Sequence, residues 1–291
     1  MSNNRSIAEE IRVLFETLTP TERKVGRVLL ANYPVAGLET VAQLALRADV
    51  SGPTVLRLVS KLGFDSYTGF QTALRDELEV RLQSPLVRHD PGQLKGENDF
   101  LVSYASRISQ LMQETIAHLP RAEFDGVVEL LGDRKQRVWL LGGRLTEPLA
   151  AYLGHHLKVV RPEVNHLRGV PASWADSLVD MGKHDVLVVF DIRRYWEGAL
   201  QVAEMAAQRK VNVLLFTDQW LSPVSRVARH TLAAHTAGPS GWDSNTPLMM
   251  LVDAVIAGVN TRRWGEISDR LQEVEAMRAR LGEGLPKEGG G

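Results

Sequence analysis

The residues with the clearest chemical potential lie in the stretch VVFDIRRYWEGAL, from Val188 to Leu200. A short apolar run ends there in an aspartate, two arginines and a glutamate, at positions 191, 193, 194 and 197. Arginine binds carboxylate and phosphate groups through a planar pair of N–H donors, and Tyr195 and Trp196 can stack on a ring. The pattern favours an anion-binding site at the end of a buried strand.

The elements around this stretch alternate between short apolar runs and helical patterns. RVWLLGG, DVLVVFD and VNVLLFTD are strong strand candidates, and PEVNHL and RHTLAA are weaker ones. Helical patterns occupy 147–157, 172–181, 195–210 and 223–227. This alternation predicts a doubly wound parallel sheet covered by helices on both faces. Ligands bind at the carboxyl ends of such strands, where Arg144, Arg193 and Arg194 lie.

The N-terminal part of the chain has a helical period throughout. We therefore predict an all-α helix-turn-helix domain at 1–82, a linker at 83–98 and an α/β domain at 99–281. The linker prediction rests on the prolines, glycines and charges of QSPLVRHDPGQLKGEND. The glycine-rich residues 282–291 are expected to be a disordered tail.

Two short helices of the all-α domain meet at a tight turn. The first ends near Ala48, and Ser51 then caps a second helix, which Gly63 ends. Its apolar residues fall on one face and its polar and basic residues on the other. Free amides and hydroxyls in the first turn suit contacts with DNA. The predicted DNA-binding residues are Ser51, Gly52, Pro53, Thr54, Arg57, Ser60 and Lys61.

Charge does not separate DNA binding from a solvated amphipathic helix. Basic and acidic residues balance over residues 1–85, and the whole chain of 291 residues has a formal net charge of −1. The absence of cysteine excludes disulfides and thiolate metal sites. The histidines show no metal-ligand spacing, so we expect no metal and no cofactor.

The chain is expected to be cytoplasmic and to have no membrane partner. No apolar run approaches the length that spans a bilayer, and the segment MSNNRSIAEE has no signal-peptide core.

The N-terminal 75 or so residues closely resemble the RpiR/MurR-type bacterial transcriptional regulators. The matching motifs are the TPTER opening, the LALRADVSGPTVLR core and the KLGF close. The resemblance implies that the segment beginning at Ser51 is a recognition helix. It also implies a SIS (sugar isomerase) domain over residues of about 120–260, and the segment LLFTDQWLSPVSRVA keeps that family's pattern well.

The family's two ligand loops are altered in this chain. The glycine-rich first loop corresponds to residues 142–146, where Arg144 replaces the second glycine. The serine-rich second loop corresponds to residues 190–197, where only Glu197 survives. Loss of the serines and the glycine removes the hydroxyls and the close backbone approach of a phosphate cradle. The predicted effector-binding residues are Gly142, Gly143, Arg144, Thr146, Asp191, Arg193, Arg194, Tyr195 and Glu197.

Two interpretations of the altered loop remain open at this stage. Arginine side chains could replace the serines and bind a carboxylate or phosphorylated effector. Alternatively, Asp191 could pair with Arg193 and Arg194, so that the SIS-like domain serves only for dimerisation.

We expect a transcriptional regulator that binds operator DNA as a homodimer or homotetramer and is not an enzyme. The alternative from another class is a sugar-phosphate isomerase-like enzyme with a helical appendage, with Glu147 and Glu197 as candidate bases.

Overall fold

The computed structural model describes residues 6–82, 85–88, 99–169 and 173–281. The predicted tail and most of the predicted linker lie outside the described residues, as does Ala172, the predicted start of one helix. Within the described ranges, no helix combines the length and apolar character that a membrane crossing requires.

The N-terminal part is entirely helical, as predicted. Three of its helices begin with capping boxes, in which Ser6, Thr19 and Thr40 bond the third backbone amide of the helix and receive a reciprocal side chain. The helices are α1 (Ile7–Leu14), α2 (Pro20–Ala31), α3 (Val41–Arg47), α4 (Gly52–Lys61) and α5 (Tyr67–Leu82). A short further helix, α6 (Pro85–Arg88), lies within the residues predicted as a linker. Two 3-10 helices lie between them, at Phe15–Thr17 and Val35–Leu38.

The C-terminal part is the predicted α/β domain. Its strands are β1 (Arg137–Gly142), β2 (Val164–His166), β3 (Asp185–Phe190), β4 (Asn212–Asp218) and β5 (His230–Ala234). Its helices are α7 (Phe100–His118), α8 (Arg121–Gly132), α9 (Glu147–Val160), α10 (Trp174–Asp180), α11 (Glu197–Gln208), α12 (Thr246–Arg262) and α13 (Trp264–Arg280), with a 3-10 helix at Pro223–Arg226.

All five strands pair in parallel, in the order β2-β1-β3-β4-β5. One apolar core lies between the sheet and α8, α9, α12 and α13, and a second lies between the opposite face and α10 and α11. Every residue of β3 is buried, as expected for a central strand covered on both faces. The predicted doubly wound sheet is therefore confirmed.

Several predicted helices differ in their bounds or type: the helix predicted at 147–157 extends to Val160, and the one predicted at 223–227 is a 3-10 helix at Pro223–Arg226. The helix expected from residue 195 begins at Glu197, because Arg194 has a φ of 55° and Asp191 Oδ1 accepts the Trp196 amide at 3.2 Å. A positive φ interrupts a right-handed helix. Residues 246–280 form two helices, α12 and α13, which meet at Arg263.

The helical domain packs directly on the α/β domain. Leu221, which follows β4, is 2 % exposed and belongs to the apolar core of the helical domain. The Ser6 hydroxyl donates to the Gln219 carbonyl at 3.0 Å, and Arg226 donates to the Asn32 side chain at 2.6 Å. The segment after β4 therefore joins the sheet to the helical core.

Candidate functional site

The α3–α4 turn has helix-turn-helix geometry. Asp49 has a φ of 50°, and the Val50 amide donates to the Ala45 carbonyl at 3.0 Å, which ends α3. Ser51 occupies the N-cap position of α4, but the predicted side-chain cap is wrong, because the Ser51 hydroxyl bonds the Thr54 hydroxyl and no backbone amide. Pro53 occupies the first turn. Gly63 follows α4 with a φ of 87°, a conformation that glycine adopts without strain.

The structure places most of the predicted DNA-binding residues on one exposed surface. Arg57, Ser60 and Lys61 lie on the side of α4 opposite the buried Val55 and Leu58. Ser51 and Pro53 are also exposed, and Gly52 is half-buried.

Thr54 departs from the predicted polar face. It is 4 % exposed, and its hydroxyl bonds the Ser51 hydroxyl at 3.0 Å and accepts from the Arg57 guanidinium at 2.9 Å. Thr54 therefore positions its neighbours at the start of α4. Leu56, which was not among the predicted DNA-binding residues, is 47 % exposed on the same helix.

Lys61 already has a partner within the domain. Its Nζ lies 2.8 Å from Glu22 Oε2 on α2, and the Glu22 side chain is only 3 % exposed. Burial raises the pKa of Glu22, but bonds from Lys61 and from Thr19 outweigh it, so the pKa lies below the ordinary value. The pair therefore ties α4 to α2, and Arg57 is the α4 cation that has no acidic partner among the described residues.

A large cavity opens at the carboxyl ends of β1 and β3, with a volume of about 1090 Å³. Seven of the nine predicted effector residues line it. They are Gly142, Gly143, Arg144, Thr146, Asp191, Arg193 and Arg194.

Tyr195 and Glu197 do not line this cavity. The Tyr195 hydroxyl donates to Asp218 Oδ1 at 2.6 Å, because the loop turns it back toward the end of β4. Glu197 is exposed at the first position of α11, where its side chain accepts from Gln201 at 3.5 Å.

In the first loop, the Thr146 hydroxyl and Gly142 serve contacts within the domain. The Thr146 hydroxyl donates to the Phe190 carbonyl at 2.7 Å and accepts from the Gly143 amide at 2.8 Å, and Thr146 is 3 % exposed. A Cβ at Gly142 would lie 2.5 Å from the Glu147 Cα, so the entry into α9 requires glycine there. Thr146 thus joins β1 to β3 and leaves no free hydroxyl for a ligand.

Two buried carboxylates hold the second loop. Asp191 accepts from the Ser222 hydroxyl, and the Thr217 hydroxyl donates to the Asp191 carbonyl at 2.7 Å. Asp218 accepts the Arg193 amide at 2.6 Å, in addition to the Tyr195 hydroxyl. Burial raises the pKa of Asp218 to about 6.

Arg193 is an internal residue of this loop. Its side chain is 2 % exposed, its guanidinium lies 3.0 Å from Asp243, and its Cζ lies 3.8 Å from the centre of the Trp220 ring. Arg88 of α6 contacts the same Asp243 oxygen at 3.1 Å. Arg193 therefore forms an internal salt bridge, as the second interpretation predicted, but the acidic partner of Arg193 is Asp243 and not Asp191. The salt bridge does not fill the cavity.

Three other arginines present their charge at the cavity. Arg144 and Arg194 are exposed and have no side-chain partner among the described residues. Arg168 is 60 % exposed and lies 3.6 Å from Glu147. Arg168 follows β2, and it was not among the predicted effector-binding residues, although the strand-end rule that identified Arg144 and Arg194 applies equally to it.

Three tryptophans also line the cavity, at positions 174, 196 and 242. The rings of Trp174 and Trp196 meet edge to face with centroids 5.2 Å apart, and Trp242 is 58 % exposed. Only Trp196 was named as a ring-stacking candidate, since the other two come from segments distant in the chain.

A helix-turn-helix domain joined to a parallel-sheet domain with a cavity at its strand ends defines the class of two-domain DNA-binding transcriptional regulators. The model of the rpiR-family helix-turn-helix domain matches residues 5–81, and that of the SIS domain matches residues 130–258. The chain belongs to the RpiR-type transcriptional regulators.

Individual proteins agree with this assignment. The chain is 25 % identical to the HTH-type transcriptional regulator HexR of Escherichia coli over 289 residues, which cover 93 % of each chain. It is also 25 % identical to the bifunctional protein glk of Burkholderia orbicola, but it spans 42 % of that protein's length. The solved Vibrio vulnificus NanR protein, complexed with ManNAc-6P, matches 95 % of this chain and 99 % of its own with a TM-score of 0.55 and 19 % identity, which shows a shared fold.

Proposed function

We propose that this regulator senses an anionic small molecule, a carboxylate or a phosphorylated metabolite, through arginines at the mouth of its SIS-domain cavity. The observation that carries the proposal is the placement of Arg144, Arg168 and Arg194 around one open cavity. A guanidinium beside a partly enclosed site binds carboxylate or phosphate through two N–H donors. Arg193 has a structural role, since Asp243 and Trp220 already hold it.

The NanR protein, which shares this fold, was solved in complex with ManNAc-6P, and this supports a small-molecule site in the protein described here. The ligand chemistry differs here, because the serine hydroxyls of the family loop are absent and Thr146 is bonded internally. The three tryptophans add flat apolar surface beside the arginines, which favours a ligand with both an anionic group and an apolar or ring-shaped part.

A short physical connection runs from the cavity to the DNA-binding domain. The Arg193 guanidinium stacks on Trp220, and the next residue, Leu221, inserts into the core of the helical domain. A ligand that moves the 191–196 loop would therefore change the packing under the helix-turn-helix. The effector alters operator affinity only if it makes different contacts with the protein before and after the 191–196 loop moves.

We further propose that the protein acts as a homodimer or homotetramer in the cytoplasm, binds operator half-sites spaced by whole helical turns, and performs no catalysis. One observation favours the isomerase alternative: Glu147, which lines the cavity, lies 3.7 Å from His166, a pair that can exchange a proton. Turnover of sugar phosphates by the purified chain would support that alternative.

A thermal-shift screen with carboxylates and sugar phosphates tests the effector site. We expect at least one compound to raise the Tm of the wild type, and the Arg144→Ala/Arg194→Ala variant to bind it at least about tenfold more weakly, since a charged hydrogen bond contributes ~1.5–3 kcal/mol. Arg121→Ala is the matched control, because Arg121 is exposed at the start of α8 and does not line the cavity.

Ligand stabilisation that survives in the double variant would refute the arginine site. No stabilisation of the wild type by any anion, together with intact operator binding, would favour a regulator whose SIS domain only dimerises. Gel-shift titration with the upstream DNA of its own gene, with and without the compound, measures the coupling.

A further inference from the structure

A cluster of two histidines and a glutamate lies at the junction between the two domains, away from both sites described above. Glu9 lies in the first turn of α1, His118 is the last residue of α7, and His235 directly follows β5. We propose that these three side chains form a divalent-cation site of the Zn²⁺ type, which fixes the helical domain on the α/β domain.

The geometry brings one ligand atom from each residue to a common point. His235 Nε2 lies 2.8 Å from Glu9 Oε1 and 3.2 Å from His118 Nδ1, and the three ligand atoms lie within 4.8 Å of one another. A neutral ring nitrogen either donates or accepts, so His235 Nε2 cannot both donate to Glu9 and accept from His118. A cation at the centre would use the lone pairs of all three atoms.

The surroundings of His235 match the outer partners of a metal-bound histidine. Its other ring nitrogen, Nδ1, lies 3.6 Å from Glu114 Oε2, and its backbone amide donates to the Thr115 hydroxyl at 2.9 Å. A carboxylate behind a metal-bound histidine orients the ring and fixes its tautomer. Both partners lie on α7, the helix that also carries His118.

Burial and charge are also compatible with a cation. Glu9 is 4 % exposed and His235 is 3 % exposed, so a bound ion would be held away from bulk solvent. Glu9 and Glu114 together supply the two negative charges that a divalent cation needs. Arg12, one turn beyond Glu9 on α1, is a neighbouring positive group. Its charge is attracted by Glu123 and by Glu9.

The donor set selects the kind of ion. Two imidazole nitrogens and one carboxylate oxygen suit zinc and similar transition metals, whereas calcium and magnesium take oxygen ligands. Three protein ligands leave a fourth position for water. Because Glu9 belongs to the helical domain and both histidines to the α/β domain, the ion would add a cross-link beside the bond from Ser6 to Gln219.

Zinc titration of the full-length chain, free of any histidine tag, tests the site. We expect about one equivalent of Zn²⁺ per chain in competition with a chromogenic chelator, and a rise in Tm on binding. The His118→Asn and Glu9→Gln variants should bind at least about 100-fold more weakly, since each removes one ligand of the ion. His184→Ala is the control, because His184 is exposed and lies outside the cluster.

X-ray absorption of the zinc-loaded wild type supplies a measurement that does not depend on whether the variants fold. Two imidazole nitrogens in the first coordination sphere are expected. Failure of the wild type to bind zinc in competition with the chelator would overturn the proposal. Unchanged uptake by both His118→Asn and Glu9→Gln, or a coordination sphere without two imidazoles, would also overturn it.

Discussion

The two adjacent arginines of the 191–196 loop should respond very differently to truncation. Arg193 is 2 % exposed at its side chain, pairs with Asp243 at 3.0 Å and stacks 3.8 Å from the Trp220 ring centre. Arg194 is exposed and has no side-chain partner among the described residues. The same chemical change, arginine to alanine, therefore removes a buried ion pair at one position and only a solvated charge at the next.

The magnitude follows from these contacts. Removal of one partner from a buried ion pair costs about 3–5 kcal/mol. Asp243 is 15 % exposed and keeps Arg88 at 3.1 Å, so Arg193→Ala should fall at the lower end, near 3 kcal/mol. At roughly 2–4 °C per kcal/mol for a domain of this size, the Tm should fall by about 6–12 °C.

Urea and thermal unfolding followed by circular dichroism measure this difference. Arg194→Ala should stay within about 0.5 kcal/mol of the wild type, as exposed substitutions usually do. Equal unfolding midpoints for Arg193→Ala and Arg194→Ala would refute the assignment of Arg193 to the internal network. A selective loss of stability in Arg194→Ala would reverse the roles of the two arginines.

Three further predictions concern the helix-turn-helix and the first loop. Arg57→Ala should weaken operator binding by ~1–3 kcal/mol in a gel-shift titration, and unchanged sequence-specific affinity at moderate salt would contradict the recognition-helix assignment. Lys61→Met should destabilise the protein by roughly 1 kcal/mol at pH 7, because it leaves the buried Glu22 carboxylate without its cation. Because the pKa of Glu22 is lowered in the folded state, the stability that the pair contributes is present above the unfolded pKa of Glu22 and is lost as the pH falls through its folded pKa. The loss of stability in Lys61→Met should therefore shrink in urea titrations between pH 7 and pH values below 4.5, the ordinary pKa of Glu22. A loss that stays the same over this range would contradict the pairing. Gly142→Ala should cost at least about 2 kcal/mol, because its Cβ would meet the Glu147 backbone at 2.5 Å, whereas Gly182→Ala, with nothing within 4 Å, should be nearly neutral in the same unfolding assay.

Local patterns in the sequence predicted the strands and most of the helices, in the right order. The three apolar runs that end at glycine or aspartate became β1, β3 and β4, because a strand buried on both faces must be apolar at nearly every position. The two weaker candidates became the edge strands β2 and β5. Gly63 was likewise predictable as the end of α4, since a helix end depends on neighbours within a turn. The predicted cap at Ser51 did not form, because the Ser51 hydroxyl bonds Thr54. The polar face of α4 was predicted except for Thr54, whose burial depends on the packing of the whole helical domain.

The sequence by itself determined where along the chain the cavity residues would come from. Strand carboxyl ends meet at one edge of a parallel sheet, so Arg144 and Arg194 could be placed there without coordinates. Which arginine is free and which is internal was decided only by the tertiary structure. Asp243 reaches Arg193 from a loop 50 residues away, and no local pattern encodes that pairing.

The cluster of Glu9, His118 and His235 between the two domains also depends on the tertiary structure alone. His118 and His235 are separated by 117 residues, and Glu9 lies far from both, so no sequence spacing indicates a metal site. The three side chains meet because the start of α1 is bonded to the segment after β4, where the Ser6 hydroxyl donates to the Gln219 carbonyl and Leu221 enters the helical core. Short-range propensity therefore sets the helices, strands and caps, whereas contacts between distant segments exist only after both domains have folded and docked.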